Sequence, residues 1–393
     1  MALAFSMPFG YNLSIIIVLW SLCFFAFEDL KQGFRNVFKN KWTYVLLGFF
    51  FLHAFGYFFS ENKAEALSII ERKLSFLGFP ILLFCNRSFE DKAVRIVKSF
   101  MLGNIIALLI CVFRALYLYF SEGINAFFYG EFNYFMHPSY FAMYLTFVQL
   151  MLILFGRQWF SHWSNLNIKL GMLSALIVTG IFLCASKLGL LAAILMLPTT
   201  LSVILYNKGF KKGIIALLIG VAVLIPVTYK LFPTPYSRLK TAFEVTTSSQ
   251  EINKAETDGT AVRILIWKES LNIIKDNYLF GVTPGDENDV LCKAYSSNQL
   301  TGALEKQLNT HNQFLQTLLG TGLIGFVLLC VMTFGALVEG FMKRNYLLVL
   351  LIILSILNFL VESMLQAQSG FMFFVFFLVF FLQYNLSKLS VKQ

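Results

Sequence analysis

Stretches of about 20 mainly apolar residues recur along this chain, the length an α-helix needs to cross the hydrocarbon of a bilayer. They lie at roughly 8–27, 43–60, 69–86, 99–119, 137–156, 168–186, 188–206, 213–232, 312–338, 345–362 and 369–386. Backbone in lipid must satisfy its own polar groups, so spans this apolar are helices. The expected fold is an all-α polytopic membrane protein with about eleven transmembrane helices, a single integral membrane domain over residues 1–393. Composition agrees, with 58% apolar and 13% charged residues, against about 25% charge in an ordinary soluble domain. One segment departs from the pattern: residues 233–310 form a long hydrophilic loop.

A net charge of +10 reports topology here before it reports a nucleic-acid partner, because short loops rich in Lys and Arg stay in the cytoplasm. Every second connection is basic: Lys31, Arg35, Lys39 and Lys41; Arg87, Lys92, Arg95 and Lys98; Arg157 and Lys169; Lys208, Lys211 and Lys212; Lys343 and Arg344; and the tail with Lys388 and Lys392. The intervening short connections carry few basic residues: Lys63, Arg72, Lys73 and Lys187. This alternation puts the C-terminus inside and the loop 233–310 outside. Eleven spans would then leave the N-terminus outside. The opening MALAFSMPFG reads as the end of a hydrophobic helix, so a further helix upstream of Met1 is expected, giving twelve spans. Cys23, Cys85, Cys111, Cys184 and Cys330 fall in or beside hydrophobic segments, and Cys292 stands alone in the loop. That spacing implies neither a zinc site nor a disulfide framework.

The stretch NTHNQFLQTLLGTG (309–322) opens a span with polar residues. Thr310 and Gln313 have capping-box spacing, which predicts a helix starting at His311. The partial positive charge of a helix start favours a neutral, proton-accepting imidazole. Upstream, TDGTAVRILIWKESLNIIKD predicts a helix from about Ala261 to Asp276, capped by Thr260 or Asp258. Arg263, Trp267, Ser270 and Ile274 share one face of it. It reads as an amphipathic helix on the outer leaflet, with Arg263 available to a phosphate or merely snorkelling. Lys187, in FLCASKLGLLAAIL, sits where two spans meet with hardly a loop between them. A lysine deep in such a run costs roughly 2.5–3.5 kcal/mol, so it is expected to face a polar cavity or an anion, or to reach the surface.

His137 begins a span in NYFMHPSYFAMYL, and Glu362, Gln366 and Gln368 cluster between the last two spans. Glu71, Arg72 and Lys73 lie at the outer end of the third span. Five separated segments thus place polar residues at one face, which predicts an outward-facing site. Arg114, His53 and His162 stay outside it, both histidines read as structural. The run Asp286, Glu287, Asp289 lacks EF-hand spacing and reads as a solvated turn rather than a calcium site. The chain has no P-loop, G-x-S-x-G or H-E-x-x-H motif.

Taken together, these motifs resemble the O-antigen ligase and O-antigen polymerase superfamily of bacterial inner-membrane glycosyltransferases. The matching pieces are R-x3-W (Arg263, Trp267), the turn with Pro284 and Gly285, and H-N-x-F-L-x4-G-x-G from His311 to Gly322. HPSYFAMYL (137–145), ASKLGLLA (185–192) and ESMLQAQSG also fit. The resemblance implies a twelve-span fold, with a glycan taken from undecaprenyl pyrophosphate at the periplasmic face and no metal, nucleotide or other cofactor. The acceptor would be lipid A core for a ligase, or a second lipid-linked glycan for a polymerase; the ligase reading is preferred because the long loop is arranged as in ligases. The bilayer is the expected environment, and nucleic acid is no partner. Carried over by motif, His311, Arg263 and Lys187 are the expected catalytic residues. His137, Trp267, Asn312, Glu362 and Gln366 are expected to bind substrate, and no residue to bind metal. The family usually carries arginine at the Lys187 position; lysine keeps the charge and loses the bidentate fork. The alternative of another class is a transporter of lipid-linked sugars, for which paired repeats and broken helices would be expected; the sequence shows neither.

Overall fold

The computed structural model describes residues 1–10, 13–27, 30–85, 92–231, 253–255, 257 and 259–389. Asp258, Arg87, Lys392 and the first part of the long loop, 233–252, lie outside the described residues, as does the side chain of Lys388. Every regular element among the described residues is helical. The described residues of each of the eleven apolar stretches lie mainly in helix. Among the described residues, five helices are long and apolar enough to cross a membrane: Ala93–Glu122, Pro138–Trp159, Leu166–Leu183, Lys187–Asn207 and Gln313–Met342. Tyr346–Phe359 and Gln368–Gln383 are shorter apolar helices. The chain divides into two compact units, one of residues 1–16 and 92–241, the other of residues 17–91 and 242–393.

In the first unit Pro138–Trp159 is buried along most of its length. It packs against Leu166–Leu183 and Lys187–Asn207. Small residues permit these approaches, as they do between helices in lipid. A Cβ on Gly189 would collide with Ala142, and one on Gly180 would meet Leu108 at 2.6 Å and Leu145 at 3.1 Å. The N-terminal turn Ala2–Ser6 rests on Ala93–Glu122, where Gly103 lies against the carbonyl of Phe5. Arg114, on that long helix, donates to the Glu131 carbonyl at 2.6 Å and stands over the Tyr134 ring at 5.3 Å. It serves the short segment that follows its own helix.

The second unit gathers Lys41–Gly56, Lys63–Phe84, Tyr346–Phe359 and the phenylalanine-rich Gln368–Gln383. Phe79 meets Phe376 edge-on at 5.4 Å, and Phe359 meets Phe374 at 5.1 Å. The polar loop folds into Thr260–Asn277, Glu287–Ser297 and Thr301–Glu305. These bury Val262, Ile266, Ile274, Leu291, Tyr295, Leu300 and Ala303 together with Leu319. The predicted arginine helix is therefore present, with its apolar side turned to other protein helices. Its cap differs from expectation: Gly259 occupies the N-cap at φ 100° and no side chain bonds there. Thr260 is already helical.

The helix beginning at Gln313 is interrupted, contrary to the expectation of unbroken helices. Gly322 takes φ 61° and ψ −161°, a conformation that favours glycine. The break admits the turn after the arginine helix: Leu323 N donates to Tyr278 O at 2.8 Å, and Val282 N donates to Leu319 O at 2.7 Å. The G-x-G of the sequence thus marks a docking point. A π-helical turn, Val331–Gly335, follows before the helix resumes to Met342.

Candidate functional site

The second unit brings Arg263, His311 and Glu362 to one carboxylate. Arg263 Nη2 donates to Glu362 Oε1 at 2.7 Å, and His311 Nδ1 lies 3.2 Å from Glu362 Oε2. The three side chains are 22%, 25% and 13% exposed, so the cluster is sheltered but reachable. Charge-assisted bonds of this kind are stronger than neutral ones. A proton on Nδ1 shared with the carboxylate leaves Nε2 as the ring's acceptor, the orientation a general base needs.

His311 reaches this position by local strain rather than by opening a helix. The helix starts at Gln313 and is capped by Asn312, whose Oδ1 accepts from Leu315 N at 3.0 Å. His311 lies two residues earlier at φ 44°, a left-handed conformation uncommon outside glycine. Asn309 Oδ1 accepts from the His311 N–H at 2.9 Å, and Trp267 Nε1 donates to the Thr310 carbonyl at 2.8 Å. The predicted capping box therefore does not form. Thr310 is fully buried, and its hydroxyl donates to Gln316 Oε1 at 2.9 Å.

Trp267 and Asn312, expected to touch substrate, use their polar atoms to hold the loop. Both ends of the Asn312 amide are engaged, since Nδ2 donates to the Leu360 carbonyl at 3.0 Å. Gln313 ties the segment around Glu362 to the same helix by accepting from Leu365 N at 2.7 Å. Gln366 donates to Glu287 at 3.4 Å.

Glu287 corrects the reading of Asp286, Glu287 and Asp289 as a solvated turn. Asp286 accepts from the backbone N–H groups of Asn62 and Glu61 at 2.8 and 3.0 Å and from the Thr283 hydroxyl at 2.6 Å. Burial works to raise its pKa, but these bonds hold it below the ordinary value. Asp289 accepts from Asn62 Nδ2 at 2.9 Å. Glu287 is 5% exposed and accepts from Gln316 Nε2. Burial pushes its carboxyl up to about 8, against the opposing Gln316 bond and the charges of Lys73 and Arg72. Gly320 makes the space, for a Cβ there would fall on the Glu287 carboxylate, 2.5 Å from its carbon. Lys73 is fully buried and donates to the Leu365 carbonyl at 2.7 Å. Of the third span's charged trio, Lys73 joins this network, Arg72 pairs with Glu65, and Glu71 is exposed. An acid within an acidic run of a polar loop gave no sign of its burial; the glycine opposite it was the available clue. An apolar cavity of about 430 Å³ lies beside Gly320, lined by Leu52, Phe55, Phe59, Phe280, Pro284 and Ile324 among others.

Lys187 and His137 belong to the first unit. Lys187 is the first residue of its helix and half-buried, with Ser186 as N-cap accepting from Gly189 N at 3.2 Å. His137 is exposed at the N-cap of Pro138–Trp159, its Nδ1 accepting from Ser139 N at 3.3 Å. Ser186 and Ser139 meet hydroxyl to hydroxyl at 3.3 Å. The motifs HPSYFAMYL and ASKLGLLA are thus neighbours within that unit. Among the described residues no group of His, Cys, Asp or Glu is arranged to hold a metal ion.

No curated protein matches this chain. The family model described as O-antigen ligase matches residues 172–330, a segment that contains Lys187, Arg263, Trp267, His311 and Asn312. That segment is therefore similar to the O-antigen ligase family.

Proposed function

We propose that the protein is a metal-independent, inner-membrane glycosyltransferase of the O-antigen ligase type. It would move a glycan from undecaprenyl pyrophosphate to lipid A core at the periplasmic face. The family implies glycosyl transfer and lipid-linked substrates in a membrane setting. The observation that carries the finer reading is the joining of Arg263 and His311 through Glu362.

In this reading the acceptor hydroxyl oxygen attacks the anomeric carbon while the bond from that carbon to the pyrophosphate oxygen breaks. The electron pair leaves on the pyrophosphate, and the hydroxyl proton passes to His311 Nε2. Pyrophosphate is already a good leaving group, so the main requirement is a cation where its charge develops. Arg263 meets that need by exchanging its hold on Glu362 for the phosphate. Glu362, freed of the arginine, then stabilises the imidazolium that His311 becomes. The family resemblance assigns Lys187 to the pyrophosphate as well. The apolar cavity beside Gly320 suits a lipid-linked substrate.

The test is a gel of envelope lipopolysaccharide from a deletion strain, with lipid-linked glycans extracted in parallel. Bare core with long polymer retained on its lipid carrier is the expected result. Core capped by a single repeat without a ladder would identify a polymerase. An unchanged pattern in both fractions would overturn the reading.

A further inference from the structure

Glu287 has no part in the chemistry above, yet its carboxylate bonds to the amide that joins the two reacting segments. It projects from the first residue of Glu287–Ser297 into the space left by Gly320. There it takes the Nε2 of Gln316. An amide side chain presents a donor at one end and an acceptor at the other. With its nitrogen bound to Glu287, the Gln316 carbonyl oxygen must face the opposite way. It accepts there from Thr310 N at 3.0 Å, from the Thr310 hydroxyl at 2.9 Å and from the Ser363 hydroxyl at 3.4 Å. Thr310 precedes His311, and Ser363 follows Glu362. One oriented amide therefore ties together the two backbone segments that bring imidazole and carboxylate to 3.2 Å.

We propose that Glu287 is a positioning residue for the His311–Glu362 pair, acting by fixing the orientation of the Gln316 amide. The proposal rests on the glycosyl-transfer reading of that pair. A carboxyl keeps an acceptor oxygen for Gln316 whether or not it is protonated, and so does the amide of Glu287→Gln. Glu287→Leu removes it and leaves a buried N–H without a partner. Small misplacements of a reacting group carry large rate penalties.

The experiment uses the purified full-length protein in detergent. Modification of His311 by diethyl pyrocarbonate is followed peptide by peptide, with exposed His137 as internal control. Transfer kinetics are measured in parallel, with lipid-linked glycan extracted from host membranes as donor. Glu287→Leu and Gln316→Leu are each expected to change the His311 modification rate while leaving His137 unchanged. Each should lower kcat about tenfold or more with donor KM held within about twofold. Glu287→Gln should keep both readouts close to those of the parent. The double variant Glu287→Leu/Gln316→Leu should lose no more than Gln316→Leu alone. Should Glu287→Leu fail to accumulate, Gln316→Leu set against Glu287→Gln carries the same expectation. Unchanged His311 reactivity in the leucine variants, or losses that multiply in the double variant, would overturn the proposal. A His311 rate that responds as expected, in a protein whose transfer survives His311→Ala, supports the positioning role and sinks the transfer reading instead.

Discussion

Arg263 and Glu362 meet at 2.7 Å although 99 residues separate them in the chain. Their pairing spans the polar loop and the turn between the last two apolar helices, so the cation waits in place on a carboxylate that also faces His311.

Exchange of the Arg263–Glu362 bond for a phosphate contact predicts unequal effects at the two positions. Arg263→Ala should lower transfer about 10²–10³-fold by removing charge from the leaving group. Arg263→Lys should recover part of it, since lysine keeps the charge without the fork. Glu362→Gln should leave donor KM near the parent value and reduce kcat. Steady-state kinetics on the three variants checks this; a Glu362→Gln defect confined to KM would contradict it.

His311→Ala should abolish detectable transfer, a loss of about 10²–10⁴-fold if the imidazole is the base. Protein abundance in the membrane should be intact. The lipopolysaccharide ladder and an immunoblot of the same membranes decide it, and a normal ladder rules out the assignment.

Gly320→Ala should destabilise the protein by about 1–3 kcal/mol, because the new methyl group meets the Glu287 carboxylate in a packed interior. Gly78→Ala provides the contrast. Its Cβ would enter open space on a helix, where the exchange is worth about 0.5–1 kcal/mol in the stabilising direction. Thermal unfolding in detergent should move in opposite directions for the two variants.

The raised pKa of Glu287 makes stability depend on pH. The folded carboxyl binds its proton up to about 8, whereas its ordinary value is 4.5. Between these values the folded state holds a proton that the unfolded chain has lost, so raising the pH favours unfolding. This contribution is fully present below the ordinary value and is lost as pH rises through the folded one. Glu287→Gln cannot titrate, so its melting temperature should fall less than that of the parent between about pH 5 and 8. Parallel melting curves for the two proteins would contradict this.

The candidate site was legible in part. Arg263, Trp267 and His311 stood out by their residue types in a mostly apolar chain, and the structure brings all three into the second unit. Their tasks were less legible. Trp267 and Asn312 spend their polar atoms on backbone, and the capping box at Thr310 loses to Asn312 because Thr310 is drawn into the buried network around Gln316. Nothing in the sequence around Lys73 and Glu287 marks them as buried, since burial of a charged residue depends on what closes over it.

Hydropathy is a property of consecutive residues, and it sufficed to place helices along the described parts of the apolar stretches, while residue spacing marked a helix from about Ala261 to Asp276 with Arg263 and Trp267 on one face. Hydrogen-bond partners are not consecutive. Glu287 finds Gln316 across 29 residues, His311 finds Glu362 across 51, and Lys73 finds the Leu365 carbonyl across 292. The sequence by itself determined the helices and the residue types at their ends. The tertiary structure decided which of those ends meet, because desolvation forces each buried polar group to find a partner and only packing determines which partner is within reach.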